Sequence, residues 1–353
     1  MQVLAASYGG LRMDTVEMPQ YDSVTPAIGP SLDRWMFHLA WAVGVALFLM
    51  VGGAVLLPAD SEAALSLLTH DRPGLMLAEM LGLAVVAAAL ATAIAGKRHS
   101  DVGTFTAALG VGLLSLRAGN MTSILMDHAD DRLIALRLLV DAGAWCLIVV
   151  VSATVDRVVA RWLFGRCDDR CLAAHWPIFG RVAVAHDEPA CPPFAYIRHL
   201  GIGTLVALAL IALFSTGRGE RAIQQGQACF AVVAGFYLAA GRAFKAAPVP
   251  ALGASWLIVP IVCAIALLYS FVRSLTSPVL VNGLPTVPVT NFLQILPVTY
   301  MMFGTAAVLL GRWRVEAQHR IEDLRKGNAG RPTPAGRLGQ ERVSKRKTNG
   351  LGD

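Results

Sequence analysis

The stretch MDHADDRLIALRLLVDAGAWCLIVVVSATVDR, residues 126–157, decides how this chain is read. From Leu133 to Val155 it is an apolar run long enough, at about 1.5 Å per residue, to cross a hydrocarbon core about 30 Å thick. Yet Arg137 and Asp141 lie inside the run. Each costs roughly 2.5 to 3.5 kcal/mol at the centre of a span, so an ionisable pair there marks a functional site by default. Their spacing of four places both on one helix face, within reach of an ion pair. If lipid begins near Leu133, the helical rise puts Arg137 roughly 6 Å and Asp141 roughly 12 Å deep.

The rest of the sequence extends this pattern. Hydrophobic residues make up 55% and charged residues 15%, against about a quarter charged in soluble domains, so the chain reads as an all-α polytopic membrane protein. Eight apolar runs appear, at residues 35–57, 74–96, 102–124, 133–155, 197–216, 223–241, 252–272 and 289–310. Basic residues cluster in alternate connections: Arg12, Arg34, Lys97, Arg98, the arginines from Arg157 to Arg198, Arg242, Lys245 and everything from Arg312 onward. The positive-inside rule therefore predicts both termini in the cytoplasm and a location in the inner (plasma) membrane. Residues 1–34 form a polar cytoplasmic segment without the basic and apolar pattern of a cleavable signal, so the run at 35–57 is expected as an uncleaved anchor. Residues 35–311 form the membrane domain, with a cytoplasmic loop at 156–196.

Residues 312–326 read as a short solvated helix with i, i+4 charge pairs, and the Gly-, Pro- and Lys/Arg-rich remainder to 353 as a disordered tail that touches anionic lipid headgroups or a cytoplasmic partner. The net charge of +6 resides in these loops and the tail, which argues for membrane orientation rather than nucleic acid. Two fragments point to a parallel duplication of four spans plus four: His38-Leu39 against His199-Leu200, and AVVA at Ala84–Ala87 against Ala231–Ala234. Pro260 and Pro297 are expected to kink the seventh and eighth spans.

The polar residues within the runs gather toward the outer face. Glu79, Arg117, Arg137 and Asp141 come from three consecutive spans; Gln224, Gln225 and Gln227 open the sixth, and Asn291 and Gln294 the eighth. An outward-opening polar cleft would satisfy them, with Arg117 and Arg137 suited to an anionic group and Asp141 to proton coupling. The competing reading is interhelical glue: Glu79 with Arg117, Arg137 with Asp141, and amides bonding across helices.

Asp127, His128, Asp130 and Asp131 carry donors for a metal ion, although Asp130 and Asp131 also precede a helix and can cap it. Cys167, Cys171, His175, His186 and Cys191 carry zinc donors at a spacing that matches no standard finger, beside the amphipathic residues Trp162, Leu163, Phe164, Trp176, Ile178 and Phe179. Reduced cysteines and no cofactor are the expectation, and no phosphate-binding, metalloprotease or serine-hydrolase motif is present.

Three function classes fit: a permease for a small, anionic solute; a membrane enzyme acting on lipid-linked or envelope substrates from an outward-opening site; and a scaffold that presents the cytoplasmic loop and tail to a protein partner or a second copy. The short outer connections and absent nucleophile tell against the enzyme, and the kinked late spans favour the permease.

Overall fold

The apolar runs fold as helices, four of which open on proline. The structure, a computed structural model, describes residues 30–57, 63–96, 101–119, 121–128, 131, 133–164, 193–215, 221–246, 255–276, 279–281, 284–286 and 290–329. Helix α1 (Pro30–Leu47) passes through one π-helical turn (Phe48–Gly52) into a last helical turn (Gly53–Val55). There follow α2 (Pro73–Ala95), α3 (Val102–Ser115), the short α4 (Met121–Asp127), α5 (Ile134–Phe164) and α6 (Pro193–Phe214). The last three are α7 (Arg221–Ala246), α8 (Ile258–Thr276) and α9 (Pro297–Ala329). Between α8 and α9, β1 (Val279–Val281) and β2 (Leu284–Thr286) pair antiparallel with Val279 opposite Thr286.

Helices α1, α2, α6 and α9 all open on proline, whose missing N–H costs nothing in a first turn. Helix α2 closes at Gly96, with φ 75° and ψ −177°, a backbone region open essentially to glycine alone.

Six of the described helices are long and apolar enough to cross a membrane: Trp35–Val55, Pro73–Ala95, Ile134–Phe164, Phe194–Phe214, Gln224–Ala246 and Ile258–Thr276. The third and eighth expected spans differ. The run at 102–124 is broken after Ser115, because its chain tightens into i→i+3 bonds (Arg117 N to Leu114 O, 3.0 Å) and Gly119 N donates to Ala63 O at 2.8 Å. The run at 289–310 turns helical only at Pro297, and the preceding residues make short turns. Neither proline kinks a span. Pro297 starts α9 and Pro260 lies in the first turn of α8, where a proline is accommodated. The expected helix at 312–326 is the continuation of α9 rather than a separate element. Helix α5 likewise runs past Val155 to Phe164, so Asp156 and Arg157 belong to the helix and not to a loop. Residues 1–29, 165–192 and 330–353, which carry most of the N-terminal segment, the cytoplasmic loop and the tail, lie outside the described residues.

Two elements form the centre. Every residue of Val102–Ala108 in α3 and of Pro297–Leu309 in α9 is buried, as expected for helices covered on all sides. They run antiparallel: the rings of Phe105 and Trp313 lie 5.2 Å apart, and further along Phe303 covers Gly112, where an added Cβ would meet the ring at 3.1 Å. Helix α1 packs on α3 through the Phe48 ring seated on Gly110. At the other side Gly311 of α9 approaches α7 so closely that a Cβ would lie 2.6 Å from the Tyr237 carbonyl oxygen.

Setting aside the short α4, the helices fall in chain order into two sets of four. The first holds α1, α2, α3 and α5, the second α6, α7, α8 and α9. Exchanging the groups in chain order carries the α1–α2 contact onto α6–α7, α2–α5 onto α7–α9, α1–α3 onto α6–α8, and α3–α5 onto α8–α9. The contacts between groups obey the same exchange, since α3–α9 maps onto α8–α5 and α5–α9 onto itself. The α2–α3 contact has no counterpart of similar extent.

Candidate functional site

The antiparallel register of α3 and α9 places both helix interruptions at one level. Seven residues beyond Gly112 lies Gly119, and seven before Phe303 lies Leu296, so segments 116–119 and 290–296 leave helical geometry at the same end of the central pair. A third irregular segment joins them. Residues 63–69, between α1 and α2, tuck inward with Ala64, Leu65 and Ser66 buried, and Ala64 bridges to Gly119. Buried non-helical backbone requires internal partners, and the side chains here supply them.

Asp141, 1% exposed on the inward stripe of α5, accepts from Ser66 Oγ and from Leu67 N, both at 3.0 Å. Gln225 of α7 donates Nε2 to carbonyls at the broken end of α3, to Ser115 O at 3.2 Å, which also accepts from Ala118 N at 3.3 Å, and to Ala118 O at 3.5 Å. Ser215 Oγ donates to Asn291 O at 2.8 Å, the Ser270 and Thr290 hydroxyls lie 2.7 Å apart, and Tyr300 OH donates to Phe292 O at 3.3 Å. The buried Gln227 Oε1 has no hydrogen-bond partner among the described residues.

The sequence-predicted site residues divide accordingly. Asp141 lies within this end, and Asn291 lends it a backbone oxygen while its side chain is exposed. Gln224, Gln227 and Gln294 are half-buried on its flanking elements. Glu79, Arg117 and Arg137 are exposed and do not join Asp141. The expected Arg137–Asp141 pair is replaced: Arg137 Nε lies 3.2 Å from Asp131, and Asp141 turns to the 63–69 segment. The expected Glu79–Arg117 pair is replaced too, because Arg117 Nη1 donates to Leu49 O at 3.1 Å beside the π-helical turn of α1.

A second buried carboxylate escaped the sequence reading. Asp156, on the same stripe of α5 and 4% exposed, accepts from Thr92 Oγ1 at 2.5 Å and from Thr104 N and Oγ1, each at 3.2 Å. Arg157 lies within electrostatic range of Asp156 and of Asp101, and Asp101 holds φ 71° just before α3. The signal available in the sequence was the spacing of fifteen from Asp141, nearly a whole number of turns, which keeps both acids on one face about 22 Å apart along the axis. Helix α5 is thus bonded near both ends, to the 63–69 segment by Asp141 and to α2 and α3 by Asp156.

Between α4 and α5 Asp131 Oδ1 accepts from Leu133 N at 2.9 Å and His128 Nδ1 lies 3.1 Å from Ile124 O, so both follow helix-end geometry. Asp127 is exposed, and Asp130 lies outside the described residues, as do Cys167, Cys171, His175, His186 and Cys191. Among the described residues no three His, Cys, Asp or Glu side chains converge as metal ligands would. His38 and His199, the pair behind the duplication, occupy unlike surroundings. His38 is exposed and accepts from Trp41, whereas His199 is buried against Ser255 Oγ at 3.3 Å and the Phe244 ring.

The fold and this interior define a multi-pass helical protein of the membrane-spanning type. No known protein family, no curated protein and no solved structure matches the chain.

Proposed function

We propose that the chain crosses the inner membrane eight times with both termini in the cytoplasm and serves as a permease for a small solute. The observation that carries this reading is the gathering of three non-helical segments, 63–69, 116–119 and 290–296, at one end of the central helix pair, with Asp141 bonded to the first of them. In transporters, interrupted helices at a repeat interface supply the backbone groups that bind substrate and then change place. The third crossing is α3, about 21 Å of helix from its 14 residues, completed by 116–127, and the eighth is 290–311. The exchangeable contacts of the two four-helix groups support a parallel duplication, with α3, α5, α8 and α9 along its interface.

The arginines that favoured an anionic solute are exposed and engaged elsewhere, with Asp131 and with the Leu49 carbonyl. The interior instead offers acceptors, namely Asp141 and the unpartnered Gln227 Oε1. The solute is therefore a small molecule bearing hydrogen-bond donors rather than an anion.

Single cysteines at Gln227 and at Val232, in a background lacking the native thiols, test the pathway. In intact cells a membrane-impermeant maleimide should label Gln227→Cys and leave the fully buried Val232→Cys unmodified. A folded Gln227→Cys protein that reacts only after denaturation would sink the permease reading. An active alkaline phosphatase fused after Asp353 would overturn the cytoplasmic C-terminus.

A further inference from the structure

A cavity of about 250 Å³ opens between α7 and α9 at the end of the bundle opposite the interrupted helices, and three cations line it beside the neutral Tyr237 and Gln318. Arg242 and Lys245 reach it from α7, Arg314 from α9, and the floor is Gly241, Tyr237 and Gly311. The cleft exists because Gly311 lets the two backbones approach at Tyr237, and because Gly241 carries no side chain, with nothing within 4 Å of where its Cβ would stand. Arg314 is held in place, donating Nη1 to Tyr237 OH at 3.0 Å with its guanidinium 5.6 Å from that ring's centre. Among the described residues no acid lines the cavity, and the Arg242 and Lys245 side chains are exposed. On its apolar side Leu238 and Leu310 are 43% and 38% exposed, one turn of α7 and of α9 away from the cations.

Three cations around a cleft, at the height where apolar helix surface gives way to charge, match a phosphate group delivered at the membrane interface. Basic pockets between spans on the cytoplasmic side bind anionic headgroups in this way. We infer that this cavity is a binding site for an anionic phospholipid, its phosphate held by Arg242, Lys245 and Arg314 and its acyl chains lying over Leu238 and Leu310. The competing role for Arg242 and Lys245 is to complement the negative end of the α7 dipole, which would affect stability equally with and without lipid.

The test uses the full chain purified in a non-ionic detergent, with phosphatidylglycerol or phosphatidylcholine titrated in and bound lipid counted by native mass spectrometry. Phosphatidylglycerol should bind more tightly, and Arg242→Gln with Lys245→Gln should weaken it about fivefold per cation removed, or about 25-fold together. Gly241→Leu projects into the cleft from a position where nothing lies within 4 Å of the added Cβ and improves helix propensity, so it should fold normally and reduce phosphatidylglycerol to the phosphatidylcholine level. The basic tail is intact in that variant, so its loss of binding belongs to the cavity. Competition by millimolar inorganic phosphate would keep the phosphate chemistry and remove the lipid as its source. Equal binding of the two lipids, or unchanged phosphatidylglycerol binding in folded Gly241→Leu, would overturn the inference.

Discussion

Asp156→Ala should loosen the junction of α2, α3 and α5, and the structure sets the size of the effect. The carboxylate accepts from Thr92 Oγ1, Thr104 N and Thr104 Oγ1, and between helices in membranes such bonds contribute about 0.6 to 1.7 kcal/mol each, giving about 2 to 5 kcal/mol for all of them. Asparagine separates shape from charge. Its Oδ1 can accept both bonds from Thr104, and its amide can donate to Thr92 Oγ1 while that hydroxyl donates to Ala88 O at 2.7 Å. Asp156→Asn should therefore remain within about 1 kcal/mol of the unaltered protein. Reversible unfolding by sodium dodecyl sulfate in mixed micelles, followed by tryptophan fluorescence, measures both. An alanine variant of unaltered stability would mean that water replaces the carboxylate. An asparagine variant as damaged as alanine would mean that negative charge beside Arg157, not hydrogen bonding, holds the junction. Either outcome refutes the reasoning.

Gly103→Ala should cost about 1 to 3 kcal/mol in the same titration, because its Cβ would stand 2.6 Å from the Ala88 carbonyl oxygen and 3.0 Å from the Asp156 carboxyl carbon, forcing α2 and α3 apart. Gln225→Leu removes the side-chain donor to Ala118 O and to Ser115 O, the latter keeping its bond from Ala118 N, and hydrogen exchange at residues 116–119 should quicken while α7 is unchanged. Arg137→Gln should shift stability by less than about 1 kcal/mol, since its pair with Asp131 is half exposed and screened. Asp141→Ala, by contrast, should release residues 63–69 to protease cleavage after loss of the bonds to Ser66 and Leu67, and equal protection in both variants would contradict the geometry.

Much of the helical architecture was legible because apolar runs of span length have few other uses. The cap at Asp131 was legible too, as an acid placed before an apolar helix. The interruption of the third run was not. Ser115, Leu116, Arg117, Ala118 and Gly119 carry no strong breaker before the final glycine, and the break depends on Ala63 and Ala64, about fifty residues away, bonding to Gly119. The spacing of Arg137 and Asp141 allowed an ion pair, but spacing on one helix cannot reveal competing donors in another segment. Here Ser66 and Leu67 hold the acid. The outward placement of Glu79 did have a signal. Met76, Met80, Ala84, Ala87, Ala88, Ala91 and Ala95 trace one buried stripe on α2, and Glu79 falls off it. Asp156 was passed over because it stands where the apolar run ends, and a terminal acid looks solvated until Thr92 and Thr104 are seen to face it.

Helix α9 is 33 residues long without a break, about 50 Å, whereas the hydrocarbon layer is about 30 Å. It begins at the level of the interrupted segments and emerges at the far end, past Trp313 and the cleft at Arg314. Such an element is a stiff shaft. A pull, twist or clamp applied to its projecting end travels to Pro297 with no hinge to absorb it, and the contacts at Gly304 and Gly311 leave little lateral play. Whatever grips the far end of the shaft therefore has a mechanical hold on residues 290–296 at the opposite end of the molecule.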